Sequence, residues 1–293
     1  MNHSENAYRF ESNNNKIAVV TNGTAIDTME YSVKTYMEAI AEVYKSAGLD
    51  IFGIELNTRN LLEIKNSIVS LQQDFGAVLI AGIKAPGCYQ LLNMVKQELT
   101  IPVILEVTGV AVAIGATILN ISKDKNKLLN EMRFLCLGCN ELKRAVLEQL
   151  FLIGADPSLV VSCRKGGFEY AAYASHFSDI VMVFDFQYEH IKRIAMELPS
   201  NPVLMLLSHN LSDHISKLAK VRPDAFIIPY DSIQSESIEA ALSGPYLLRN
   251  AIDQKLKKIT PDMLKSASMS LVEFAQSNRL LPELMDWRSK SVF

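Results

Sequence analysis

The chain has 293 residues, of which 49% are hydrophobic and 21% charged, and its formal charge is −3. That is enough apolar material for two cores, and so slight a charge supplies no basic field of the kind that attracts nucleic acid. The polar start "MNHSENAYRFESNNNK" lacks the apolar centre of a secretory signal, so the expected compartment is the cytoplasm, with all 4 cysteines as free thiols.

In chain order, β-rich runs alternate with helical stretches. "KIAVVTNG", "DIFGIEL", "AVLIAGI" and "PVILEV" come first, then "RFLCLG", "LVVSC", "DIVMVF", "PVLMLLS" and "DAFIIPY". This alternation predicts parallel sheets joined by crossover helices. The apolar run Val103 to Ile121 approaches the length of a membrane span. It follows Pro102, contains Glu106 and carries Gly109, and it is read as a buried strand entering a buried helix that breaks at the glycine. No membrane association is expected. The polar stretch Ser122 to Met132 suits a domain boundary. Near the C-terminus, Gly244 and Pro245 predict a helix break, and Thr260 followed by Pro261 predicts an N-cap with proline at the first helical position.

Three of these stretches carry a resemblance. "NAYRFESNNNKIAVVTNGTA", "FGAVLIAGIKAPGCYQL" and "IPVILEVTGVAVAIGATILN", with "KKITPDMLKSASMSLVEFA" later, follow the order found in the small bacterial type of malic enzyme, the NAD(P)-linked oxidative decarboxylase of malate. The resemblance implies an α/β chain of two domains. It places a malic-enzyme-like N-terminal α/β domain in residues 1–122, a degenerate Rossmann-like doubly wound parallel sheet in residues 123–259, and C-terminal helices expected to pack back in residues 260–293. It also implies a homodimer.

The chemistry of that family requires a base, an acid, a divalent cation and a nicotinamide. The resemblance places an adjacent Glu-Asp metal pair where this chain has Ala81 and Gly82, and its third carboxylate near Glu106. One carboxylate is a poor holder of Mg²⁺ or Mn²⁺, so no metal site is expected. The family lysine falls on Ala39 and Ile40, and the family's acid tyrosine lies upstream of the matched segments. The dinucleotide fingerprint falls on Gly138, Asn140 and Lys143, with Ser162 where an acid would bond the ribose and Arg164 beside it. His209 stands at the Asn position of the nicotinamide-side segment.

The expectation is therefore a malic-enzyme-like protein without malic enzyme activity, holding no cofactor and serving a regulatory, assembly or biosynthetic accessory role, with a protein partner or a small carboxylate as its ligand. One alternative is altered chemistry on a small carboxylate in the same cleft, with Glu106, Lys84 and His209 as cleft residues. Another is an oxidoreductase using NAD or NADP through an aberrant fingerprint. Cys136, Cys139 and Cys163 offer a remote metal or redox reading against the simpler one of buried small hydrophobes.

Overall fold

In the computed structural model, residues 15–26, 32–164, 166–229 and 240–274 are described. The polar N-terminal stretch and Lys165 lie outside them. The chain divides into two compact units, one of residues 1–109, 241–263 and 287–293, the other of residues 110–240 and 264–286.

The first unit holds a parallel sheet in the order β2-β1-β3-β4. Its strands are β1 (Lys16–Thr21), β2 (Asp50–Glu55), β3 (Ala77–Ile80) and β4 (Val103–Leu105). β1 and β3 pair in register from Ile17 with Ala77 to Val20 with Ile80, and these residues are buried on both faces. Strands covered on both sides read as unbroken apolar runs, as "IAVV" and "AVLI" do. Helices α1 (Val33–Ser46), α2 (Leu61–Leu71), α3 (Gly87–Val95) and the start of α4 (Glu106–Asp124) connect or follow the strands. Ile64 and Ile68 of α2 and Leu91 and Val95 of α3 complete a core with Ala18, Val20, Val78 and Ile80. Ser32 caps α1 by accepting from Thr35 N–H, and Asn60 caps α2 by accepting from Leu62 N–H.

The second unit repeats the plan with five parallel strands in the order β6-β5-β7-β8-β9. They are β5 (Phe134–Leu137), β6 (Val160–Cys163), β7 (Ile180–Val183), β8 (Val203–Leu206) and β9 (Phe226–Pro229). α5 (Glu141–Ile153), α6 (Phe168–Ser175), α7 (Tyr188–Glu197) and α8 (Ile215–Val221) follow successive strands. The strand order reverses between β5 and β7. In doubly wound sheets the ligand crevice lies at such a switch point, outside the carboxyl ends of the strands.

The C-terminal helices pack back. α9 (Ala240–Asp253) belongs largely to the first unit and α10 (Pro261–Phe274) to the second from Leu264 onward. The hydroxyl of Thr260 accepts from Met263 N–H at 3.3 Å, so Thr260 caps α10 as its sequence predicts. In the second unit, Gln149 Nε2 donates to Leu264 O at 2.9 Å and to Ser268 Oγ at 2.8 Å, and Ser268 Oγ donates to Val112 O at 2.7 Å. This buried chain of bonds ties α5, α10 and α4 together, with its polar groups paired as burial demands.

Two expected breaks do not occur. α4 runs unbroken through Gly109, and α9 runs through Gly244 and Pro245. The glycines serve close approach instead. A Cβ on Gly109 would stand 2.7 Å from Cα of Gly244, so two backbones meet where any side chain would hold them apart. Among the described residues, no helix is long and apolar enough to cross a membrane.

Candidate functional site

Parallel sheets present the carboxyl ends of their strands to one edge, and the loops that follow the strands gather there. In the first unit, the loops after β1 and β3 are laced to each other. Ala25 N–H donates to Gly82 O at 3.0 Å, Lys84 N–H to Thr24 Oγ1 at 3.1 Å, and Gly23 N–H to the buried Thr21 Oγ1 at 3.0 Å. Gly82 has φ +60, and a Cβ there would lie 2.6 Å from Ile26 Cδ1 and 2.7 Å from Thr21 Oγ1. Ala81 beside it is buried. Lys84 is exposed in the same loop.

At the end of β4, Glu106 opens α4 and is half-buried. Its Oε2 accepts a short hydrogen bond from the hydroxyl of Tyr36, which is buried on α1. Ile40 and Tyr44 continue that face at helical spacing. Burial holds the Tyr44 phenol far above the usual tyrosine range, and the negative charge of Glu106 adds to it. Tyr36 carried no signal in the sequence beyond an apolar helix position, and only the fold brings it to Glu106.

In the second unit, Gly138 follows β5 with φ +79. A Cβ on it would run into the backbone of Asp185, whose nitrogen would be 2.6 Å away. Asn140 is the N-cap of α5. Its Oδ1 accepts from Leu142 N–H at 3.1 Å and Lys143 N–H at 3.2 Å. Its Nδ2 donates to Phe184 O at 3.0 Å and Leu207 O at 3.1 Å, beyond the ends of β7 and β8. Lys143, 7% exposed, turns back so that Nζ donates to Gly138 O at 2.5 Å. Ser162 lies exposed on the edge strand β6, opposite Cys136 in register, and Arg164 is exposed just after it. His209 opens a 3₁₀ segment, His209–His214, after β8. Cys88, Cys136 and Cys163 are buried free thiols and Cys139 is exposed. Burial pushes the Cys136 thiol up to about 12 against the opposing influence of Lys143. Among the described residues, no group of three or more His, Cys, Asp or Glu side chains stands close enough together to hold a metal.

No family model matches the chain. Curated relatives do. The NADP-dependent malic enzyme of Salmonella typhimurium is 25% identical over 303 residues, covering 93% of this chain and 40% of that protein. The NAD-dependent malic enzyme of Rhizobium meliloti is 24% identical over 301 residues, covering 93% and 39%. In structure, the NAD-dependent malic enzyme of Thermotoga maritima superposes with a TM-score of 0.84 at 23% identity, over 99% of this chain and 85% of that one. The chain is malic-enzyme-like. It spans about 40% of the length of the first two relatives.

These relatives correct one expectation. The altered turn predicts that no cofactor is held, yet the proteins that match this malic-enzyme-like chain along nine-tenths of its length are NAD- or NADP-dependent. The physical reason is that counting glycines overstates the damage. Only Gly138 needs the left-handed backbone. Asn140 sits at φ −142, open to any residue, so the strand–turn–helix course survives with one glycine. What changes is the chemistry inside the turn. A dinucleotide pyrophosphate takes N–H groups at the start of the helix, and in this conformation Asn140 Oδ1 already accepts two of them. The residues as arranged do not fit a dinucleotide in the fingerprint pose.

Proposed function

We propose that this is a malic-enzyme-like protein that keeps a nicotinamide-dinucleotide crevice in its second unit but does not decarboxylate malate by the family's metal-and-base route. The dinucleotide is suggested by the NADP and NAD dependence of the relatives and by the switch point between β5 and β7.

The observation that carries the loss of malate chemistry is the end of β3. The resemblance puts a carboxylate pair there, and the chain puts Ala81 and Gly82. Restoring a side chain at Gly82 would displace both Thr21 and Ile26. Glu106 alone remains, engaged with Tyr36, and hard divalent ions need several oxygen ligands. The test is reduction of NAD or NADP by purified protein with malate and Mn²⁺. No turnover above the protein-free rate is expected, and turnover at an ordinary enzyme's rate would overturn the proposal.

A second reading is favoured by Tyr36 and Glu106 themselves. A buried phenol bonded to a half-buried carboxylate at a strand's carboxyl end is a pair able to hold and pass a proton, which suits altered chemistry on a small carboxylic acid. Lys84 lies in the same unit but on the loop after β3. Thermal melts with pyruvate, oxaloacetate and malate test this reading, because a ligand of the native state raises Tm. It requires an upward shift that Glu106→Gln loses, and the absence of any shift in wild type would end it.

A further inference from the structure

The mismatch between a nucleotide turn and its occupied amides assigns a role to Asn140. We infer that Asn140 is the affinity-setting residue of the second unit: its carboxamide oxygen occupies the two α5 amides that a dinucleotide phosphate would take, so the nucleotide binds in competition with this side chain. The inference rests on the proposed dinucleotide crevice and says what controls it.

The geometry is specific on three counts. Oδ1 takes Leu142 and Lys143 N–H together, which places the oxygen at the N-terminus of α5, where the helix dipole favours negative charge. Nδ2 is anchored to Phe184 O and Leu207 O, so the carboxamide is held in that position from its other end. Lys143, in the first turn of α5, is committed to Gly138 O and buried. A phosphate entering here meets amides already satisfied by a neutral acceptor. It must break bonds at both ends of Asn140 before it gains any, and that requirement lowers affinity without removing the crevice.

Two variants separate the cap from the anchor. Asn140→Gly removes the competing oxygen, and glycine is itself an acceptable N-cap whose cost is only a few tenths of a kcal/mol. Asn140→Ser keeps an oxygen on the helix amides but is too short to reach Phe184 and Leu207. Affinity for NADH and NADPH is read by calorimetric titration of the full chain, with thermal melts confirming that each variant is folded. Asn140→Gly is expected to lower Kd roughly tenfold or more, the worth of one charge-assisted hydrogen bond recovered, while Asn140→Ser stays near wild type. Binding to wild type with no gain in the glycine variant would overturn the inference and leave the crevice standing. An equal gain in both variants would overturn it in favour of the anchor to β7 and β8. Failure of wild type and of the glycine variant alike to bind either nucleotide would overturn both the inference and the crevice.

Discussion

The hydroxyl of Tyr36 donates to Oε2 of Glu106 across 70 residues of sequence, joining α1 to the residue that opens α4. A half-buried carboxylate that loses a donor of this kind loses more than a surface pair would. Tyr36→Phe is expected to destabilise the chain by about 1–2 kcal/mol, measured by urea denaturation. Glu106→Gln should cost less, since an amide oxygen still accepts. The reverse ranking would mean that the carboxylate is held chiefly by other partners.

Tyr44, two turns further along α1, gives a pH prediction. Its phenol is held protonated in the fold, first by burial and then by Glu106. Because the folded pKa is raised, this contribution is fully present below the unfolded tyrosine pKa of about 10 and is lost as pH rises above it. Wild type should therefore lose stability steeply in alkali, and Tyr44→Phe should flatten that loss. Phenolate absorbance checks it: the Tyr44 signal is expected to appear only with unfolding, and its titration in the intact fold would contradict the burial.

Gly138 is the turn position that tolerates no side chain. With φ +79 and the Asp185 backbone against its α-carbon, Gly138→Ala combines a left-handed alanine with a backbone collision. A loss on the order of 3 kcal/mol is expected. Gly154, also left-handed but with nothing within 4 Å of an added Cβ, is the control. Gly154→Ala should cost about 1 kcal/mol, and equal costs at the two sites would contradict the close approach.

The thiols give a direct chemical readout. Only the thiolate reacts, and burial pushes Cys136 up to about 12 and raises Cys163 as well. Native protein should expose one fast-reacting thiol to a disulfide reagent, and Cys139→Ser should abolish it. Rapid reaction of Cys136 or Cys163, located by peptide mapping, would show that the β5–β6 edge opens in solution.

The nine described strands are legible as short apolar runs, most clearly β3, β4, β5, β7 and β8, which are buried throughout and have no polar residue to interrupt them, whereas the edge strands β2, β6 and β9 are partly exposed. The apolar runs overshoot the strand ends: "AVLIAGI" continues to Ile83, whereas β3 stops at Ile80, since buried loop residues such as Ala81 and Ile83 look like strand. Thr260 and Pro261 were readable because a cap is local chemistry. Gly109 and Gly244 were not, because the partner that makes each glycine necessary lies more than a hundred residues away. The same holds for the site. Glu106 stands out as a charge in an apolar run, while Tyr36 gives no signal until the fold of the first unit brings its hydroxyl to Glu106, and Asn140 reads as damage to a glycine turn where its four bonds show a cap and an anchor.

We propose that a malic-enzyme-like fold is kept without the cation-holding carboxylates that the resemblance places at the end of β3, where this chain has Ala81 and Gly82. It is tested most directly by following free Mn²⁺ by electron paramagnetic resonance as protein is added in the presence of malate. Ala81, Gly82 and a Glu106 engaged with Tyr36 predict that micromolar Mn²⁺ stays free. Stoichiometric capture of Mn²⁺ at that concentration, abolished by Glu106→Gln, would contradict the account.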